Sequence, residues 1–210
     1  ILDNLDKEEE SEDFLPKEHK NYHLIGTARE RFSADWNPLS LDELSSEDAQ
    51  LLLVEYMAGY GRDFLGTPEI ADLSKALQRH PLALELAGRY MCKVEIAPSK
   101  YLEIFKRKGL QTKGLTGEGK TKGTGHLANL AATLAIDFDQ LSESPEIFRF
   151  LSIFSRWNGQ SMSLGLLAKM AGIDDRDDAM LSVKEAATYS LLHLSDDDRV
   201  RMHPFMAQAL

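Results

Sequence analysis

The stretch Ser190-Leu-Leu-His-Leu-Ser-Asp-Asp-Asp-Arg-Val-Arg-Met-His203 decides the fold at the C-terminal end of the chain. Two short runs that contain apolar residues flank the polar residues 195–198, which is the pattern of a hairpin with a polar turn. Upstream, over residues 127–189, apolar residues recur three and four positions apart, as they do on one face of a helix. The sequence therefore predicts a group of helices that is followed by a hairpin.

The helices predicted in this C-terminal part share the same apolar spacing and cover residues 127–135, 146–154, 164–170 and 178–189. Three or four helices followed by a hairpin is the order of elements in a winged-helix domain. We therefore expect such a domain over residues 127–210.

The middle of the chain is also predicted to be helical. After Trp36-Asn37-Pro38 the apolar period changes from strand-like to helical. A capped run is predicted to start near Ser46 and to end at Gly59 and Gly61, and three further helices are predicted at residues 68–77, 81–92 and 99–107. Residues 108–126 are rich in glycine, which costs about 1 kcal/mol relative to alanine inside a helix. We therefore predict a helical domain over residues 37–107 and a flexible linker over residues 108–126.

The N-terminal part has strand-like patterns. Ile1-Leu2-Asp3 is typical of the end of an apolar strand, and Tyr22-His-Leu-Ile-Gly-Thr27 predicts a second strand after an acidic connection. The order strand, polar connection, strand is what an α/β domain leaves when its front is removed. Residues 1–36 are therefore expected to be the C-terminal remnant of an α/β domain within a mainly α-helical chain.

Charge and composition narrow the classes of function. The net charge of −10 divides into −10 over residues 1–90, +5 over residues 91–126 and −5 over residues 127–210. Phosphate binding by nucleic-acid-binding proteins requires clustered Lys and Arg, so nucleic acid is not an expected partner. The apolar runs are far shorter than the roughly 20 residues of a membrane span, and no signal-peptide pattern is present. The single cysteine, Cys92, also favours the cytoplasm.

A strand that ends in an aspartate has the chemistry of a Walker B motif. The strand fixes the backbone, and the carboxylate at its end reaches the Mg²⁺ that bridges nucleotide phosphates. Asp3 is the candidate Mg²⁺ ligand, and Asp6 is the candidate catalytic residue that orients the attacking water. A strand that simply ends in a polar turn is the alternative interpretation of Ile-Leu-Asp-Asn-Leu-Asp.

Four segments of the sequence resemble motifs of the NB-ARC family of STAND-type signal-transduction ATPases, and they occur in the family's order. They are His23-Leu-Ile-Gly-Thr-Ala-Arg29, the helix opening Leu39-Ser-Leu-Asp-Glu-Leu-Ser-Ser-Glu-Asp-Ala-Gln-Leu-Leu52, Arg79-His-Pro-Leu-Ala-Leu84 and Arg201-Met-His-Pro204. The resemblance extends over nearly the whole chain. It implies a remnant of a nucleotide-binding α/β domain, an ARC1-like helical domain and an ARC2-like winged-helix domain.

The resemblance also implies roles for individual residues. Arg29 corresponds to the sensor that detects the γ-phosphate, Pro81 to the proline that packs against the nucleotide base, and His203 to the histidine that bonds the phosphates of ADP. The implied ligands are ADP or ATP with Mg²⁺. Two departures affect this set: Gln78 or Arg79 stands where the family's Gly-Leu-Pro-Leu motif has glycine, and Pro204 stands where Met-His-Asp has aspartate.

A second phosphate-binding pattern, Gly114-Leu-Thr-Gly-Glu-Gly-Lys-Thr121, matches the P-loop expression in full. A P-loop works when a buried strand delivers it and a helix continues from its lysine. Here a charged helix is predicted before the pattern, and Gly123 and Gly125 follow it. We therefore interpret residues 114–121 as part of the flexible linker.

The resemblance predicts a molecular switch in which ADP holds a closed, inactive arrangement and exchange for ATP opens it. We expect the chain to lack ATPase activity on its own, because the P-loop segment would lie upstream of Ile1. That segment, helical repeats after Leu210 and a homo-oligomer on activation are the expected protein partners. Two alternatives stay open: a winged-helix regulator that binds DNA, and a protein-interaction module with a vestigial nucleotide site.

Overall fold

The computed structural model describes residues 2–5, 25–28, 37, 39, 41, 43–112, 124–141, 144–157 and 159–209. These residues are mainly helical and include two small β-sheets. By their contacts they form two units, Ile1–Asp42 and Glu43–Leu210. No helix within these described ranges is both long enough and apolar enough to span a bilayer.

In the first unit, strand β1 (Leu2–Leu5) pairs in parallel with strand β2 (Gly26–Ala28). Leu2 pairs with Gly26 and Leu5 pairs with Ala28, so β1 carries one extra residue between the two pairs. An extra residue of this kind is a β-bulge. The prediction that the strand ends at Asp3 needs correction: Leu5 continues the pairing, and Asp3 lies inside the strand.

The second unit begins with four α-helices and a 3₁₀ helix. They are α1 (Ser46–Tyr56), the 3₁₀ helix (Ala58–Phe64), α2 (Pro68–Ala76), α3 (Pro81–Val94) and α4 (Pro98–Thr112). The Ser45 hydroxyl accepts the backbone N–H of Asp48 at 3.1 Å and so caps α1. Proline occupies the first position of α2 and of α3, where its missing N–H costs nothing.

Helices α1 and α3 approach each other closely at Gly88. A Cβ atom at this position would lie 2.6 Å from the Tyr56 Cβ and 3.0 Å from the Leu53 carbonyl oxygen. The predicted end of α1 at Gly59 and Gly61 is only partly right, because the chain continues as the 3₁₀ helix. Gly61 is buried there, where a Cβ would lie 2.6 Å from the Val54 carbonyl oxygen. Glycine therefore permits both close contacts on α1.

The remaining elements of the second unit are four longer helices, a short final helix and three short strands. They are α5 (Thr124–Gln140), α6 (Pro145–Arg156), β3 (Met162–Ser163), α7 (Leu164–Ala171), α8 (Arg176–Thr188), β4 (His193–Leu194), β5 (Arg199–Arg201) and α9 (Pro204–Ala209). Strand β5 lies between β3 and β4 and is antiparallel to both. The predicted hairpin is confirmed by β4 and β5, whereas β3 and α9 were not predicted.

The predicted linker over residues 108–126 is too long at both ends. Helix α4 continues through Gly109 to Thr112, and α5 begins at Thr124. Residues 113–123, which include the whole P-loop pattern, lie outside the described residues. Tyr101 and Phe105 of α4 are buried, and α5 packs against both α3 and α4. Packing therefore outweighs the cost of one glycine in α4, and the helical and C-terminal segments share one core.

Asp137 of α5 is a carboxylic acid inside this core. It is fully buried, and neither carboxyl oxygen has a hydrogen-bond partner among the described residues. Burial raises the pKa of the Asp137 carboxyl well above its usual range. Burial, followed by the Asp137 carboxyl, also raises the pKa of Tyr101 on α4. Burial therefore favours the neutral form of this acid, which lies close to the contact between α4 and α5.

We expect Gly88→Ala to destabilise the protein by about 1–3 kcal/mol, because the added methyl group overpacks the contact between α1 and α3. Chemical denaturation would measure the change in the free energy of unfolding. Gly165→Ala is the matched control: Gly165 lies exposed in α7, and no atom lies within 4 Å of a Cβ placed there. The control should not destabilise the protein, because Gly165 lies in the first turn of α7, where an added methyl group meets open space. Equal effects of the two variants would contradict the close approach.

We expect Asp137→Asn to remove a pH-dependent loss of stability. Because the pKa is raised in the folded state, the protonated carboxyl contributes stability that is fully present below its unfolded pKa of about 3.9. This contribution to stability is lost as pH rises through the folded pKa. Thermal unfolding at roughly pH 5 and pH 8 should show a smaller decrease in Tm for the variant than for the wild type. Asp139→Asn is the control, since Asp139 is exposed and pairs with Lys108 at 2.5 Å. Identical pH trends in wild type and Asp137→Asn would disprove the assignment.

Candidate functional site

The structure describes three of the five residues that were predicted to form a site, namely Asp3, Pro81 and His203. Asp3 lies in β1, and its side chain is outside the described set, as are Asp6 and Arg29 entirely. Pro81 is the first residue of α3, and His203 lies between β5 and α9. The positions that can be compared with each other are therefore Pro81 and His203.

A cavity of about 490 Å³ joins the first turns of α3 to the C-terminal segment. Leu82, Glu85 and Arg89 line it from one face of α3, since residues three and four apart project on the same side of a helix. The opposite wall follows the end of α8, β4 and the chain after β5. The residues of this wall are Ala187, Ser190, Leu191, Leu192, His193, Arg201, Met202, His203 and Pro204. His203 therefore faces the same cavity as Leu82, whereas Pro81 lies next to the lining and does not form part of it.

The segment that carries His203 is fixed by the backbone around it. Met202 is buried, and its N–H donates to the Gly159 carbonyl oxygen at 3.3 Å. Gly159 has a φ of 69°, and a Cβ there would lie 2.5 Å from the Met202 carbonyl oxygen. Glycine is required at this position for both its backbone conformation and the space. The buried Met202 and the β5 pairing thus place His203 at the rim of the cavity.

Glu85 is the acid of the cavity, and it makes two hydrogen bonds with one oxygen. Its Oε1 accepts the Ser190 hydroxyl at 2.6 Å and the Arg89 Nε–H at 3.3 Å. The Arg89 guanidinium also lies over the Tyr56 ring, 5.3 Å from the ring centroid. Arg89 therefore connects the Glu85 carboxylate to Tyr56 of α1, and Ser190 connects it to the segment after α8.

Partial burial and two charged neighbours change the pKa of His203. Partial desolvation lowers the pKa of His203, Glu85 opposes this effect, and Arg201 adds to it. A lowered pKa keeps the imidazole neutral near neutral pH in the unliganded protein. An anionic ligand in the cavity would favour the protonated form, so binding of an anion and protonation of His203 should be coupled.

The backbone just before α3 has an unusual conformation. Gln78 and Arg79 have φ angles of 54° and 50°, in the left-handed region that favours glycine. The Arg79 guanidinium pairs with the Glu43 carboxylate at 3.1 Å. The turn therefore has glycine-like geometry, although neither residue is glycine.

The sequence prediction did not identify Glu85, Arg89, Ser190 and Arg201 as residues of this cavity. Glu85 and Arg89 are four positions apart on a predicted helix, a spacing that allows an ion pair to be recognised. Ser190 is 105 residues from Glu85, and no local pattern links the two. Among the described residues, no group of His, Cys, Asp and Glu is arranged to hold a metal ion.

Comparison with known proteins gives no family. No protein-family model matches the chain, and no curated protein matches it either.

Proposed function

We propose that this chain is part of an ADP/ATP-dependent molecular switch of the NB-ARC, STAND-type class, and that the cavity beside α3 binds the nucleotide. In this proposal, β1 and β2 belong to a nucleotide-binding α/β domain. Their parallel pairing supports this, because parallel strands require a long crossover connection of the kind that α/β domains contain. Asp3 on β1 is the proposed Mg²⁺ ligand and Asp6 the residue that orients water.

The C-terminal part of the proposal is a winged-helix domain. The element order α6, β3, α7, α8, β4, β5 supports it, together with the position of β5 between β3 and β4. The helices from α1 to α4 are the proposed ARC1-like domain. Direct packing of α5 on α3 and α4 fits a closed arrangement of the two domains.

The observation that carries the proposal is the common cavity of the α3 N-terminal segment and His203. These are two of the segments whose sequences resemble nucleotide-contacting motifs, and 122 positions separate Pro81 from His203 along the chain. The left-handed backbone of Gln78 and Arg79 is further support, since the family motif has glycine at this turn. A local sequence coincidence would give no reason for the two segments to meet.

The volume of the cavity and the cationic residues that line it support the proposal of an adenine nucleotide as the ligand. Its volume of about 490 Å³ lies within the usual range of small-molecule sites, roughly 300–1,000 Å³. Arg89, Arg201 and His203 supply cationic or hydrogen-bond-donating groups for phosphates, and Leu82 supplies an apolar surface. In the proposed switch, His203 holds the phosphates of ADP, Pro81 packs near the base, and Arg29 detects the γ-phosphate. Cytoplasmic location and assembly into a homo-oligomer on activation belong to the same proposal.

We expect ADP to bind the chain weakly and at this cavity. In ¹H–¹⁵N correlation spectra, ADP at up to roughly 5 mM should shift the amide signals of the cavity walls. A dissociation constant in this millimolar range corresponds to a binding free energy of only about 3–4 kcal/mol. His203→Ala should weaken binding by tenfold or more, because a hydrogen bond to a charged group contributes about 1.5–3 kcal/mol. Lys169→Ala is the control, since Lys169 is exposed on α7 and does not line the cavity.

Two results of this titration would count against the nucleotide site. The absence of shifts in the cavity would favour a protein-interaction module with a vestigial site. Shifts that His203→Ala leaves unchanged would remove His203 from the proposed contacts.

The alternative from another class, a winged-helix regulator that binds DNA, is opposed by the charge of α8. This helix would be the recognition helix, and Asp174, Asp175, Asp177 and Asp178 lie at or just before its N-terminal end. The carboxylates would face a phosphate backbone that binds proteins mainly through Lys and Arg.

We therefore expect no gel shift with random duplex DNA at physiological ionic strength. The measurement is an electrophoretic mobility titration over a range of salt concentrations. A shift that weakens steeply as salt increases would indicate phosphate contacts and support the DNA-binding alternative.

A further inference from the structure

The hydrogen bond between Ser190 and Glu85 joins the two walls of the cavity. The Ser190 hydroxyl donates to Glu85 Oε1 at 2.6 Å, and the two residues lie 105 positions apart. The acceptor is a carboxylate in a partly buried position, which makes such a bond stronger than one between neutral groups. It is a direct side-chain link between α3 and the segment after α8.

Each end of this link is held by its own surroundings. Glu85 is fixed by the Arg89 Nε–H at 3.3 Å, and Arg89 is in turn placed over Tyr56 of α1. Ser190 lies between the buried residues Tyr189 and Leu191, and the Leu191 N–H donates to the Ala186 carbonyl oxygen at 3.1 Å. Neither end can adjust freely, so a change at one end is transmitted to the other.

The link continues from Ser190 to His203 through the small sheet. Ser190 lies three residues before β4, and His193 of β4 pairs with Arg201 of β5. Arg201 is two residues before His203. Movement of the segment at Ser190 would therefore displace the pair of strands that carries His203.

We propose that Glu85 is a positioning residue that, through its hydrogen bond with Ser190, holds the His203 segment against helix α3 and keeps the cavity closed. This inference rests on the proposed function for its biological meaning, because closure of this cavity is then closure of the switch. This Glu85–Ser190 hydrogen bond, called the tether below, is present in the chain without a ligand. It regulates the site by setting the distance between the two walls before any nucleotide enters.

The left-handed backbone of Ser190 favours glycine as its replacement. Ser190 has a φ of 57°, in the left-handed region, so Ser190→Gly removes the hydroxyl and relieves backbone strain at the same time. Opening of the cavity in this variant then arises from loss of the tether. Ser190→Ala also removes the hydroxyl and serves as a second variant should Ser190→Gly fail to fold.

The test is an NMR titration of the His203 imidazole in the 210-residue chain without nucleotide, with the signal assigned by its loss in His203→Gln. His203 is partly desolvated at the edge of the cavity, so in Ser190→Gly, where the cavity opens, the imidazole gains further water. Its titration midpoint then moves upward toward the ordinary value for histidine. In Glu85→Gln the amide oxygen still accepts the Ser190 hydroxyl while the carboxylate charge is lost, so the midpoint moves downward. A structural defect alone would not give opposite directions.

The matched control breaks a hydrogen bond of the same chemical kind elsewhere. The Ser144 hydroxyl donates to Glu185 Oε2 at 3.4 Å, outside the cavity lining. Ser144→Gly should leave the His203 midpoint unchanged. Amide hydrogen exchange at Arg201 should be faster in Ser190→Gly than in the wild type, Glu85→Gln or Ser144→Gly.

The combination of an upward midpoint in Ser190→Gly, a downward midpoint in Glu85→Gln and no change in the control supports the tether, and any other combination overturns it. These measurements contain no nucleotide. If the chain does not bind ADP, the proposed function is therefore wrong, and the tether remains a property of the fold. If the chain binds ADP but the His203 titration midpoint is the same in the wild type, Ser190→Gly and Glu85→Gln, the tether is wrong and the nucleotide site is supported.

Discussion

The structure of residues 43–210 depends on the burial of helix α3. Its apolar face packs against α1, α4 and α5, and Ala83, Leu84, Leu86, Ala87 and Met91 are almost fully removed from solvent. Its other edge presents Glu85 and Arg89 to the cavity. A helix that is held on one side by a close-packed core cannot rotate without breaking that packing. The polar edge is therefore a rigid wall against which the C-terminal segment closes.

The opposite wall of the cavity is held less firmly than helix α3. It consists of a two-residue strand, a three-residue strand and the segment around His203, and it is held by Met202, by the Gly159 contact and by the Ser190 hydrogen bond. Such short elements bury little surface of their own, so they are more easily displaced than α3. In the proposed switch, a ligand that contacts both the rigid helix and the weakly held hairpin would stabilise one arrangement of the two walls over others.

Local sequence patterns predicted most of the helices because their causes are local. Ser45 and the prolines that begin α2, α3 and α6 mark helix starts, and apolar spacing marks the buried faces. The hairpin was predicted from the same kind of signal. Strand β3 was missed because two residues, Met162 and Ser163, show no periodicity, and their strand conformation depends on pairing with β5. The extent of α4 was underestimated because the contribution of tertiary packing around Gly109 has no local signature.

The sequence by itself determined the helical character of the chain, the C-terminal hairpin and the two segments, around Pro81 and His203, whose motifs suggested a common ligand. Only the tertiary structure decided that helix α3 and His203 face one cavity, that Glu85 and Ser190 join its walls, and that Asp137 is buried without a hydrogen-bond partner among the described residues. The physical reason is the range of the interactions. Caps and apolar periods act within a few residues, whereas the pairing of Glu85 with Ser190 exists only once packing has brought 105 positions of chain together.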